Sequence, residues 1–127
     1  MGIIITKEKE VLLLRNDEGK WVFHKGHNEL GETYIETAIR EIREETGVNL
    51  KEKDFEKEID EYRYYSNKEQ AMKVIKVMLF RLNKEQLIVR EENFLDGIWV
   101  DMNIALEMIT HEDAKGALNK SILYINS

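Results

Sequence analysis

Apolar residues fall into short runs along most of the chain, with one helical stripe between them. Residues 3–6 and 11–15 are β-rich runs. The charged stretch Lys7-Glu8-Lys9-Glu10 separates them and predicts a hairpin or a solvated strand edge. Asn16-Asp17-Glu18-Gly19 is a turn signal, Trp21-Val22-Phe23 reads as a short third strand, and residues 24–31, with two glycines and an asparagine, read as a loop. Over residues 33–46 the period changes. Ile35, Ala38, Ile39 and Ile42 fall at i, i+3, i+4 and i+7, the apolar stripe of an amphipathic helix that Gly47 stops. Residues 51–60 are charged and fit neither period. Residues 61–65 and 72–82 read as strands joined by a turn at Asn67-Lys68-Glu69-Gln70, and residues 97–100 as a last short strand. Asn103 and Thr110 are candidate N-caps of two closing helices, with Thr110 and Asp113 spaced like a capping box. Strands, helix, strands, helices in that order predict an α+β fold, a mixed β-sheet sandwiched between α-helices.

Composition narrows what such a fold does. With 127 residues, no internal repeat and no linker-like tract, the chain reads as a single domain over residues 1–127. Its 25 acids against 19 bases give a net charge of −6, which argues against coating nucleic acid or an anionic membrane. Cysteine is absent, which excludes disulfides, a thiolate nucleophile and Cys-ligated zinc. Proline is absent too, so loop geometry falls to glycine, asparagine and aspartate. The apolar run Ile3-Ile4-Ile5 is too short for a signal segment or a membrane span, and a cytoplasmic location is expected.

The chemistry gathers on the central helix. At 100° per residue, Glu41, Glu44 and Glu45 project within roughly a 100° sector beside the apolar stripe, and Arg40 and Arg43 are placed on the far side. Alone, such a run reads as a solvated acidic face. The neighbourhood changes that reading. Glu32 lies just before the helix, and Gly26 and Gly31 allow the preceding loop to fold back tightly. Clustered hard oxygen ligands suit Mg²⁺ or Mn²⁺, and a site without Cys or paired His is a poor zinc site. Mg²⁺ commonly shares substrate phosphates, so the cluster points to phosphate-ester or anhydride chemistry.

These residues also carry a resemblance. Gly26, then Glu32 after five residues, then Arg40-Glu41-Ile42-Arg43-Glu44-Glu45-Thr46-Gly47-Val48 after seven more, is similar at every fixed position to the box of the Nudix hydrolases. The flanking order of strands and helices resembles the Nudix fold over the whole chain. The resemblance implies an enzyme that hydrolyses a phosphoanhydride in a nucleoside diphosphate linked to another moiety, with Mg²⁺ or Mn²⁺ on the box glutamates. It implies metal ligation by Glu41, Glu44 and Glu45 and by a backbone carbonyl at Lys25 or Gly26. Glu44 and Glu41 are the candidate catalytic residues, with a role for a glutamate in activating water. Arg40 joins them by bracing the glutamates, Glu32 ties loop to helix, and Gly26, Glu32 and Gly47 are structural positions of the box.

Within the family, Lys25-Gly26-His27 is similar to the diadenosine polyphosphate hydrolase branch, although His24 stands where that branch commonly has proline. His24 is a candidate to cap the loop or to stack on a base. The branch also carries a tyrosine downstream of the box at the spacing of Tyr64 and Tyr65. Candidate substrate contacts are therefore Lys25, His27, Tyr64, Tyr65 and Lys76, the last chosen over Lys73 on the opposite strand face. Glu92 is a candidate loop base, His111 a surface helix-start residue, and Trp21 and Trp99 are core or pocket wall. The favoured substrate is a dinucleoside polyphosphate such as diadenosine tetraphosphate. The alternatives are a nucleoside triphosphate or an RNA 5′ end, and a nucleotide sensor that does not cleave. The lack of a basic stripe weighs against nucleic acid. Residues 26–48 hold six Glu and two Arg, −4 of the total −6, so most of the acidity belongs to the candidate metal site.

Overall fold

A computed structural model describes residues 1–25 and 29–127. The elements run β1 (Gly2–Thr6), β2 (Glu10–Arg15), β3 (Trp21–Val22), α1 (Tyr34–Thr46), a 3₁₀ turn (Glu52–Asp54), β4 (Phe55–Ser66), β5 (Ala71–Leu82), β6 (Asp96–Asp101), α2 (Met102–Met108) and α3 (Glu112–Ile125). The six strands form one sheet in the order β3-β2-β1-β5-β4, with β6 paired to β2. β1 runs parallel to β5 and the remaining pairs are antiparallel, so the sheet is mixed, as its sequence predicts.

Each face of the sheet buries one helical layer. Ala38 and Ile42 of α1 pack with Ile4, Leu12, Met78 and Phe80 on one face. On the other, Met102 and Ala105 of α2 and Ala117 and Leu118 of α3 pack with Ile3, Ile5, Leu13, Val77 and Leu79. Strand alternation makes this possible, because Ile4 and its neighbours Ile3 and Ile5 point to opposite layers. Ile42 is wholly buried, and removing a side chain of that size from water stabilises by about 1.5–3 kcal/mol.

Local chemistry sets the helix ends. Thr33 caps α1 in a reciprocal capping box with Glu36, at 3.1 Å and 3.0 Å. At the other end Gly47 takes φ = 74°, and its N–H donates to the Arg43 carbonyl. The closing helices differ from expectation. Asp101, not Asn103, caps α2, its Oδ1 accepting from the N–H groups of Asn103 and Ile104. His111, not Thr110, caps α3, its Nδ1 accepting from Ala114 N–H. Ile109 still bridges to Trp21 of β3, which holds the chain extended just ahead of Thr110 and delays the helix start.

β4 begins at Phe55, six residues before the predicted strand. The charged stretch conceals it because β4 is a sheet edge with register shifts near Phe55–Lys57 and Glu58–Asp60, so its alternation is broken. Among the described residues no helix is long and apolar enough to cross a membrane.

Candidate active site

Arg40 organises the box. Its guanidinium grips Glu32 in a two-pronged contact, Nε to Oε2 at 2.7 Å and Nη2 to Oε1 at 2.9 Å. Its Nη1 donates to Glu41 Oε1 at 2.8 Å and lies 3.3 Å from Glu44 Oε2. Arg40 therefore sits against the carboxylates and not on the far side of the helix. Glu44 is four residues on from Arg40, on a neighbouring row of the helix surface, and the long Arg40 side chain closes the remaining distance. Thr37 Oγ1 also donates to Glu32, and the Glu29 N–H completes the loop-to-helix tie. The guanidinium hydrogen bonds hold the Glu32 carboxyl well below the usual carboxylate range, at about 2.

Glu45 has the opposite environment. Its side chain is only 13% exposed. Burial first, then repulsion from Glu41, Glu91 and Glu44, pushes its carboxyl up to about 8. His24 Nδ1 lies 3.4 Å from Glu45 Oε2. The His24 side chain is 3% exposed and β-bridged to Gly2 at its backbone, so it belongs to the core and is not placed to stack on an external base.

Glu91 reaches the site because its loop folds back on the end of α1. Val89 N–H donates to the Thr46 carbonyl at 2.8 Å and Glu91 N–H to the Glu45 carbonyl at 2.9 Å, satisfying helix-end acceptors. Glu91, not its neighbour Glu92, is thus the loop carboxylate whose charge acts on Glu45. Sequence reading had no signal to choose between adjacent glutamates in a loop without periodicity.

Among the described residues no three acidic or imidazole groups form a ready cation cage, since Glu41 and Glu44 turn onto Arg40. The donor chemistry nevertheless fits a hard divalent cation. Glu41, Glu44 and Glu91 all crowd Glu45 with negative charge, and a cation is the counter-charge that relieves it. The carbonyl of Gly26 and the side chain of His27 lie outside the described residues.

The candidate substrate contacts divide. Lys25 Nζ lies over the Tyr64 ring, 5.0 Å from its centroid. Tyr65 points to the opposite face of β4, where it is exposed. Lys76 Nζ lies 4.8 Å from the Tyr34 ring centroid, with Glu58 and Glu61 at 3.7 Å and 3.9 Å. Lys73 pairs with Glu69 instead. Beside Lys25 opens a cavity of about 390 Å³, lined by Trp21, Tyr62, His111 and Thr110 among others. Among the described residues the buried Tyr62 hydroxyl has no hydrogen-bond partner. Trp21 is therefore cavity wall, whereas Trp99 packs beside the α1 layer and donates to the Gln86 carbonyl. His111, exposed as expected, is both a helix cap and part of that wall.

Comparison with known proteins agrees with the sequence resemblance. The family described as the NUDIX domain matches residues 1–119. The mouse bis(5′-nucleosyl)-tetraphosphatase (asymmetrical) is 51% identical over 41 residues, a stretch covering 31% of this chain and 28% of the mouse protein. The structure of a Caenorhabditis elegans Ap4A hydrolase binary complex superimposes with a TM-score of 0.82 at 22% identity, covering 98% of this chain and 94% of that one. The Escherichia coli dihydroneopterin triphosphate pyrophosphohydrolase gives 0.78 at 21% identity, over 100% and 94% of the two chains. At those identities the two structures speak for the fold alone.

Proposed function

The chain belongs to the Nudix hydrolase family, and we propose that it is a single-domain, Mg²⁺- or Mn²⁺-dependent pyrophosphohydrolase that cleaves a phosphoanhydride in a dinucleoside polyphosphate. One observation carries the reading. Arg40 draws Glu32, Glu41 and Glu44 together while Glu45 is left crowded by Glu41, Glu44 and Glu91 with its carboxyl raised. Such a cluster is poised to exchange a proton for a cation.

Glu41, Glu44 and Glu45 would hold the metal, which supplies neutralising charge for phosphate oxygens and a water of lowered pKa. Arg40 restrains Glu41 and Glu44 from α1 and anchors them to Glu32, so the carboxylates are oriented before substrate arrives. Glu44 is the candidate to take the proton of the attacking water, because its carboxylate is the most exposed of the three assigned to the metal site, at 55%. Lys25 places a cation near the Tyr64 ring, a combination suited to an adenine face and an adjoining phosphate. The cavity walled by Trp21 and Tyr62 offers room for a base beside it. The partial identity to the mouse tetraphosphatase supports a dinucleoside polyphosphate over other phosphoanhydrides.

A turnover screen with Mg²⁺ across diadenosine polyphosphates, nucleoside triphosphates, ADP-ribose and 5′-triphosphate RNA tests the proposal. Diadenosine tetraphosphate is expected to give the highest kcat/KM. Preference for ADP-ribose or a triphosphate would overturn the substrate assignment. Nucleotide binding with no phosphate release by wild type or Glu44→Gln would identify a sensor.

A further inference from the structure

His24 is a buried titratable side chain that the proposed mechanism leaves without a task. It follows β3 and packs inside the molecule, yet it presents one ring nitrogen to the metal-site carboxylate Glu45, 3.4 Å away. Its other nitrogen, Nε2, is buried with no hydrogen-bond partner among the described residues. An unpaired polar atom in such a place costs free energy unless water satisfies it. His24 lines a small cavity of about 40 Å³ together with Met1, Thr37 and Lys76.

We propose that His24 is a positioning residue for the metal site: its Nδ1–H donates to Glu45 Oε2 and fixes that carboxylate's orientation. This rests on the reading of Glu45 as a metal ligand. Glu45 must be a carboxylate to bind metal, and a carboxylate oxygen beside Nδ1 requires the proton to be on that nitrogen. The second nitrogen then carries a bare lone pair; buried without a partner, a lone pair costs less than an N–H would, and the donor is needed on the carboxylate side. Hydrogen bonds that orient metal-binding carboxylates act through the ligand's geometry, and losing one commonly lowers metal affinity 10- to 100-fold.

The first test uses the unaltered protein. Long-range ¹⁵N–¹H correlation spectra in the presence of Mg²⁺ should show His24 as the Nδ1–H tautomer. His111, whose Nδ1 accepts from Ala114 N–H, serves as an internal Nε2–H reference. An Nε2–H tautomer at His24 overturns the proposal and leaves the metal reading untouched.

The second test is Mn²⁺ binding without substrate, followed by electron paramagnetic resonance, on three variants. His24→Asn places an amide N–H near the position of Nδ1 and should stay within about threefold of wild type. His24→Gln places it near Nε2, and His24→Leu removes it; both should bind about tenfold or more weakly. Equal Mn²⁺ affinity in the Asn and Gln variants, or a Leu variant within twofold of wild type, means His24 only fills space. A wild-type protein that binds no Mn²⁺ overturns the metal reading itself.

Discussion

Replacing Gly47 with alanine loads two costs onto one residue, and Gly31 separates them. Both glycines are left-handed, with φ of 74° and 87°. A side chain in that region costs about 1–2 kcal/mol, partly offset by about 0.4–1 kcal/mol because alanine restricts the unfolded chain. At Gly31 a new Cβ meets nothing within 4 Å among the described residues, so Gly31→Ala should destabilise by about 1 kcal/mol or less, from backbone strain alone. At Gly47 the new Cβ would lie 3.2 Å from Val89 Cβ and 3.4 Å from Val89 N. That nitrogen is pinned to the Thr46 carbonyl at 2.8 Å, so the loop cannot yield without loosening its tie to α1. We expect Gly47→Ala to cost about 2 kcal/mol in total, including part of a backbone hydrogen bond. For a chain of this size each kcal/mol moves Tm by roughly 3–5 °C, so thermal unfolding followed by circular dichroism should separate the variants by several degrees. The same displacement carries Glu91 away from Glu45, so Gly47→Ala should also weaken Mn²⁺ binding whereas Gly31→Ala should not. Equal Tm losses in the two variants would refute the contact argument, and a stabilised Gly31→Ala would refute the strain argument.

Further tests address charge and substrate. With its carboxyl pushed up to about 8, Glu45 is mostly protonated at pH 7, so Mg²⁺ binding should release a proton there and almost none well above pH 9, read by calorimetry in buffers of different ionisation enthalpy. The folded protein holds that proton more tightly than the unfolded chain. The corresponding stability of metal-free protein is therefore full below pH 4.5 and is lost as pH rises through about 8, a trend Glu45→Gln should abolish in denaturant titrations. Glu44→Gln should lower kcat by 10²-fold or more, and a change within twofold removes Glu44 from the mechanism. Arg40→Lys keeps the charge but cannot clasp Glu32 with two prongs while reaching Glu41, so kcat should fall about tenfold with little change in KM. Tyr64→Ala should instead raise KM for a dinucleoside polyphosphate several-fold with kcat nearly unchanged, and an unaltered KM would remove the ring from substrate binding.

How far each interaction reaches along the chain decides whether it is legible in the order of residues. The apolar stripe of α1, its threonine cap, its glycine stop and the spacing of Glu32, Arg40, Glu41, Glu44 and Glu45 lie within one loop and one helix. Helical periodicity and capping chemistry act over those distances, so residue order alone specifies the helix, the acidic cluster and the family resemblance. Local ambiguity caused the smaller misses, since Asp101 and Asn103 are both competent caps and the charged edge strand β4 lacks clean alternation.

Tertiary structure alone decided which distant groups meet. Parity along β4 places Tyr64 and Tyr65 on opposite faces, but only the packing of the loop beside it brings Lys25 to Tyr64. Glu91 acts on Glu45 because its loop completes the orphan carbonyls of α1, and His24 meets the same carboxylate from the end of β3. The periods of the two elements carry no information on how they are set against each other. The protonation of Glu45 follows from burial and from neighbours contributed by separate segments, quantities that exist only once the chain has folded.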